Sequence, residues 1–90
     1  MSKNEIEITL INKHGLHARP ATQFVQLANK YKSKIEVIKN DLIVDGKSVT
    51  SMLTLGAEKG TLLRIRANGR DADEAVSNLS ELIKGKFGEE

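Results

Sequence analysis

Ile35-Glu36-Val37-Ile38-Lys39-Asn40-Asp41-Leu42-Ile43-Val44 is the stretch that decides the fold. Two short runs rich in β-branched residues flank Asn40-Asp41, a pair suited to a tight turn. The segment therefore predicts a β-hairpin over Ile35–Lys39 and Leu42–Val44. A hairpin commits its part of the sheet to antiparallel pairing. Upstream, Glu5–Ile11 places Ile6, Ile8 and Leu10 on one face at period two, which predicts the first strand. Downstream, Leu62–Ala67 alternates again, with Leu63, Ile65 and Ala67 on one face and Arg64 and Arg66 on the other.

Between these strands the apolar spacing becomes helical. Ala21, Phe24, Val25, Ala28 and Tyr31 form one stripe, so a helix is expected from near Ala18, with Pro20 in the first turn, where a missing N–H costs nothing. Ser48 is a natural N-cap for a short helix carrying Val49, Met52 and Leu53, closed by Gly56. Asp71 with Glu74 makes a capping-box-like start for a last helix whose stripe, Ala72, Ala75, Val76, Leu79, Leu82 and Ile83, runs to about Lys84. From Gly85 onward the chain is expected to fray.

The expected fold class is α+β, an open-faced β-sandwich in the order β-α-β-β-α-β-α: a four-stranded antiparallel sheet with three helices on one face. Arg64 and Arg66 predict that the other face is wet. The length suits one domain, 1–90, with no room for a second.

Composition narrows the function. Fourteen Lys+Arg against 12 Asp+Glu leave a net charge of +2, and acids or apolar residues interrupt the cations everywhere. With Phe24, Tyr31 and Phe87 as the only aromatics, there is no base-stacking platform, and nucleic acid is not an expected partner. The absence of cysteine excludes a disulfide scaffold, a thiolate zinc site, an iron–sulfur cluster and a cysteine nucleophile. It fits a reducing cytoplasm, the expected location. No apolar run is long enough for a membrane span, and no signal peptide is read.

One segment leaves something over. In Gly15-Leu16-His17-Ala18-Arg19-Pro20-Ala21 a histidine stands at the mouth of a helix and an arginine follows two residues later. The first N–H groups of a helix have no intrahelical acceptor and carry the positive end of its dipole, so a phosphoryl group there meets donors already aimed at it. Arg19 adds a permanent cation for phosphate oxygens. Together they describe a phosphorylatable histidine. The same residues also fit a loop histidine beside a solvated cation. His14, beyond Gly15, reads as an exposed loop residue. No metal is expected, because His14 and His17 are the only imidazoles and no acid cluster flanks them.

That segment resembles the active-site signature of the HPr family, the histidine-containing phosphocarriers of the bacterial phosphoenolpyruvate-dependent sugar phosphotransferase system. A second block, Gly46-Lys47-Ser48-Val49-Thr50-Ser51-Met52-Leu53-Thr54-Leu55-Gly56, is similar to the family's regulatory-serine region, and the Ala57-Glu58-Lys59-Gly60 connection matches too. The resemblance covers essentially the whole chain. It implies that Nδ1 of His17 accepts a phosphoryl group from phosphorylated enzyme I and passes it to a histidine of enzyme IIA. Arg19 would stabilise the group in transfer, and the backbone N–H groups of Ala18 and Arg19 would bind it. Ser48 would be the site of the HPr kinase/phosphorylase found in many bacteria with this family. Val49 and Leu53 would belong to an apolar patch that docks partners, with Thr50 standing where a larger apolar residue is common.

The implied protein is a monomeric carrier without cofactor and without turnover of its own. A regulatory carrier of the nitrogen-related phosphotransferase branch shares the fold and the histidine and stands as the alternative. An enzyme proper, with His17 as base or nucleophile, fits less well: 90 residues leave little room for a deep pocket, and the sequence shows no second acid or base converging on the motif.

Overall fold

The computed structural model describes residues 2–89. Its elements in chain order are β1 (Ser2–Thr9), α1 (Ala18–Ala28), β2 (Lys34–Lys39), β3 (Leu42–Asp45), α2 (Val49–Leu53), β4 (Leu62–Gly69) and α3 (Ala72–Lys84), followed by a 3-10 turn at Lys86–Gly88. The Asn40-Asp41 turn joins β2 to β3 with Lys39 opposite Leu42, and Asn40 takes the left-handed conformation, φ 53°, that asparagine tolerates better than most residues. The α+β class, the element order and the antiparallel sheet are as the periodicities predict.

Strand order is β1-β4-β2-β3, every neighbouring pair antiparallel. The last strand in sequence is thus central. Ile8, Leu63, Ile65, Ala67, Ile35, Val37 and Val44 line the inner face, and they share one buried cluster with Ala21, Phe24, Val25, Ala28, Met52, Ala75, Val76, Leu79 and Ile83 from the helices. On the outer face Arg66 reaches Glu36 at 2.9 Å and Glu5 at 3.8 Å, while Arg64 lies 3.4 Å from Glu5. One outer position departs from the wet-face expectation. Ile38 is only 2% exposed, because it lies in register between Ile43 and Arg64, two side chains long enough to shield it.

β2, β3 and β4 each extend one or two residues beyond the sequence reading, to Lys34–Lys39, Leu42–Asp45 and Leu62–Gly69, and three other places differ in kind. The first strand runs over Ser2–Thr9 and not Glu5–Ile11, because Leu10 leaves the β1–β4 ladder to bond the connection before β4: its N–H donates to the Thr61 carbonyl at 2.9 Å, and its own carbonyl accepts from Gly60 at 2.8 Å. α1 ends at Ala28, so Tyr31 is buried from the following loop, where its hydroxyl accepts from Asn78 Nδ2 at 2.6 Å. Of the tail expected to fray, residues 86–89 turn back against the protein instead, and Glu90 lies outside the described residues. Phe87 is 3% exposed, packed into the core, and its burial holds Lys86 and Phe87 in the left-handed region, at φ 58° and 57°.

Asp71 also departs from expectation. It stands at the N-cap of α3, but its side chain makes no cap bond. Its carboxylate reaches across to the loop before β2 and accepts from Ser33 Oγ at 2.6 Å and from the backbone N–H groups of Lys32 and Ser33, each at 2.9 Å. Donation by the Ser33 hydroxyl, then by Lys32 N–H, lowers the carboxyl to about 2. A depressed native value means that the charged form favours the fold. That contribution is complete above the unfolded value of about 4 and disappears as pH falls through about 2. Asp71→Asn is therefore expected to lower the urea midpoint at pH 7, with the difference from wild type shrinking between pH 4 and 2; a difference independent of pH would assign the effect to packing instead.

Candidate functional site

His17 occupies the N-cap position of α1 with extended backbone, φ −87° and ψ −169°, and its side chain makes no cap bond. The imidazole is therefore free for other contacts. The first intrahelical bond runs from Ala21 N–H to the His17 carbonyl at 3.0 Å, and Pro20 has no N–H to satisfy. The N–H groups of Ala18 and Arg19 stand at the open start of the helix.

The loop entering this start is fixed from below. Gly15 takes φ 65° and donates to the Asn12 carbonyl at 3.2 Å, while Leu16, 5% exposed, donates to the Ala57 carbonyl at 2.9 Å. Arg19 is exposed at the helix start, whereas Arg64 and Arg66 are engaged on the outer sheet face. His14 is exposed, and its ring stands edge-on to that of His17, centroids 5.8 Å apart. Among the described residues no three His, Asp or Glu side chains converge as a metal site would need. No helix there is long and apolar enough to cross a membrane.

The sequence reading missed Glu89. Seventy-two residues from the histidine, its Oε2 lies 3.0 Å from His17 Nε2. Its Oε1 accepts from Asn12 Nδ2 at 3.0 Å, and the same amide nitrogen donates to the Gly15 carbonyl at 2.7 Å. Asn12 is fully buried, and its Oδ1 has no partner among the described residues. Donation by Asn12, and more weakly by His17, holds the Glu89 carboxyl below its usual range against the opposing effect of burial. An acid does converge on the motif, contrary to the sequence reading. The only hint lay in Phe87, an apolar residue beyond the last helical stripe and so a reason for the end of the chain to turn back onto the core.

Ser48 stands at the N-cap of α2, where its Oγ accepts from Ser51 N–H at 3.2 Å. α2 packs against α1 and β3. Met52 is buried at 1% exposure, Val49 is half-buried against the core, and Leu53 is 42% exposed, with Thr50 exposed beside it. The apolar surface of this helix is thus mainly Leu53, with Val49 contributing an edge.

The family described as "PTS HPr component phosphorylation site" matches residues 4–85. The chain is 47% identical over 89 residues to the phosphocarrier protein HPr of Neisseria meningitidis serogroup A, covering 99% of this chain and 98% of that one. The solved structure of HPr-C-His from Thermoanaerobacter tengcongensis superposes with a TM-score of 0.94 at 45% identity, covering 97% of this chain and 98% of that one. An HPr dimer from the same organism matches with a TM-score of 0.78 at 44% identity, covering 96% of this chain and 99% of that one.

Proposed function

This chain belongs to the PTS HPr family of phosphocarriers, and we propose that it takes a phosphoryl group from phospho-enzyme I onto Nδ1 of His17 and delivers it to enzyme IIA. The observation that carries this reading is the placement of His17 at the open start of α1, beside the N–H groups of Ala18 and Arg19. The Nδ1 lone pair forms the P–N bond as the donor's bond to phosphorus breaks. Delivery reverses the step on the acceptor. The guanidinium of Arg19 and the two N–H groups stabilise the phosphoryl oxygens in both directions. A shallow, exposed site suits a carrier that must release what it binds, and no turnover of its own is needed.

The test is intact-mass spectrometry after incubation with enzyme I, phosphoenolpyruvate and Mg²⁺, with half of the sample briefly acidified. One added phosphate that acid removes is the expected result. An acid-stable phosphate would move the site to a hydroxyl such as Ser48, and no phosphate from an active cognate enzyme I would favour the nitrogen-related branch with its own donor.

Ser48 is the proposed site of an HPr kinase/phosphorylase. A phosphate there brings roughly −1.5 to −2 charges, and its oxygens can keep the bond to Ser51 N–H, so the fold changes little. Inhibition is then electrostatic, by repulsion of an acidic donor surface. Phosphorylation of Ser48 is expected to slow loading by enzyme I while leaving the melting temperature nearly unchanged, with loading recovering as salt rises. Slow loading that salt does not relieve would point to a conformational cause. Leu53 and the edge of Val49 are the proposed docking contacts. The carrier is proposed to act in the cytoplasm as one domain and as a monomer, which size-exclusion chromatography with light scattering checks against the dimer alternative.

A further inference from the structure

We infer that Glu89 is a positioning residue of the phosphocarrier site: its carboxylate holds the Nε2 proton of His17 and so presents the Nδ1 lone pair to the incoming phosphoryl group. The inference rests on the reading of His17 as the acceptor. A neutral imidazole carries its proton on one nitrogen and accepts at the other, and an ionised carboxylate can only accept. With Glu89 Oε2 3.0 Å from Nε2, the proton belongs on Nε2.

The carboxylate is itself fixed. Its second oxygen is held by the buried Asn12 amide, which is anchored in turn on the Gly15 carbonyl, and two residues earlier Phe87 is locked into the core. The Glu89 side chain is 17% exposed against 41% for His17, so the carboxylate supports the ring from its more sheltered edge.

The electron balance of transfer gives this contact a second consequence. When Nδ1 forms the P–N bond and the donor's bond breaks, the ring keeps its Nε2 proton and gains a positive charge. Glu89 lies against that charge. When the phosphoryl group leaves for the acceptor, the electron pair returns to Nδ1 and the ring is neutral again, with no proton moved in either direction. The carboxylate thus stabilises the charged ring in both halves of the relay, as a carboxylate does for an imidazolium elsewhere.

The test uses the full chain and its Glu89→Ala and Glu89→Gln variants. Nitrogen-15 spectra of the unphosphorylated protein should show Nε2 protonated and Nδ1 unprotonated, with a downfield Nε2 proton slow to exchange with water. Glu89→Ala should lose that slow proton; Glu89→Gln, whose amide oxygen can accept the same bond, should keep it. Single-turnover loading by phospho-enzyme I should slow by roughly tenfold or more in Glu89→Ala, the lower end of the scale on which carboxylates orienting metal-bound histidines act. Glu89→Gln should restore the proton signal but not the full rate, because it lacks the counter-charge. A proton on Nδ1 in the wild type, or ring spectra indifferent to Glu89→Ala, would overturn the inference. The spectra need no phosphotransfer, so they stand even if His17 proves not to be the acceptor, and that failure would appear separately in the acid-lability experiment.

Discussion

Alanine in place of His17 is expected to abolish phosphoenolpyruvate-dependent labelling, while alanine in place of Ser48 leaves it nearly intact. The two residues stand at the starts of adjacent helices, yet their chemistry differs. The imidazole is not spent on capping α1, and its Nδ1 is the proposed nucleophile. The Ser48 hydroxyl is spent on capping α2. Removing the nucleophile leaves no atom to carry the phosphoryl group, so the loss should be complete. Removing a cap costs about 1 kcal/mol of stability and should not touch the transfer. Arg19→Ala should fall between them, with acid-labile phosphate still formed but slowly, because the two backbone donors remain. The measurement is the rate of labelling with enzyme I in excess. Equal loss in His17→Ala and Ser48→Ala would overturn the assignment of roles.

Gly15→Ala is expected to destabilise the protein more than any surface change near the site. Gly15 has φ 65°, and an added Cβ would stand 2.6 Å from the Ala57 carbonyl oxygen and 2.7 Å from Glu58 Cα. Both are backbone atoms, so no side chain can rotate away. The loop from Asn12 to His17 would have to lift off the α2–β4 connection, weakening the bond from Leu16 N–H to the Ala57 carbonyl. Left-handed strain and overpacking together amount to on the order of 3 kcal/mol. In a chain of this size that is a fall of more than about 10 °C in melting temperature. Gly56→Ala is the control: its φ is similar, 56°, but an added Cβ meets nothing within 4 Å, so only the strain, about 1 kcal/mol, should appear. Gly15→Ala melting alongside Gly56→Ala would refute the close-packed account of the loop. Labelling of Gly15→Ala below its melting transition would then report how far the loop positions His17.

Much of this was legible in the chain because periodicity is a local property. Alternation in Leu62–Ala67 tells which side chains face inward, and the Asn40-Asp41 turn tells that β2 and β3 pair, whatever surrounds them. Ser48 capping α2 and Pro20 in the first turn of α1 follow from groups within four residues of each other. The candidate histidine was legible for the same reason, since the motif carries its own helix start.

Where the local signal was ambiguous, the reading erred. Asp71 followed by Glu74 matches a capping box, but the carboxylate prefers three donors from Lys32 and Ser33, a loop that nothing in its own neighbourhood announces. The stretch after Gly85 is polar except for Phe87, and one apolar residue is too weak a pattern to predict packing.

By itself, then, the sequence determined the element types, their inner faces and the candidate histidine motif at the start of α1, because each depends on spacing along a few turns of chain. Only the tertiary structure decided that β4 inserts between β1 and β2, that Asp71 ties α3 to the loop before β2, and that Glu89 meets His17. Those are encounters between residues tens of positions apart. They are set by the closure of one shared core, which no local spacing encodes.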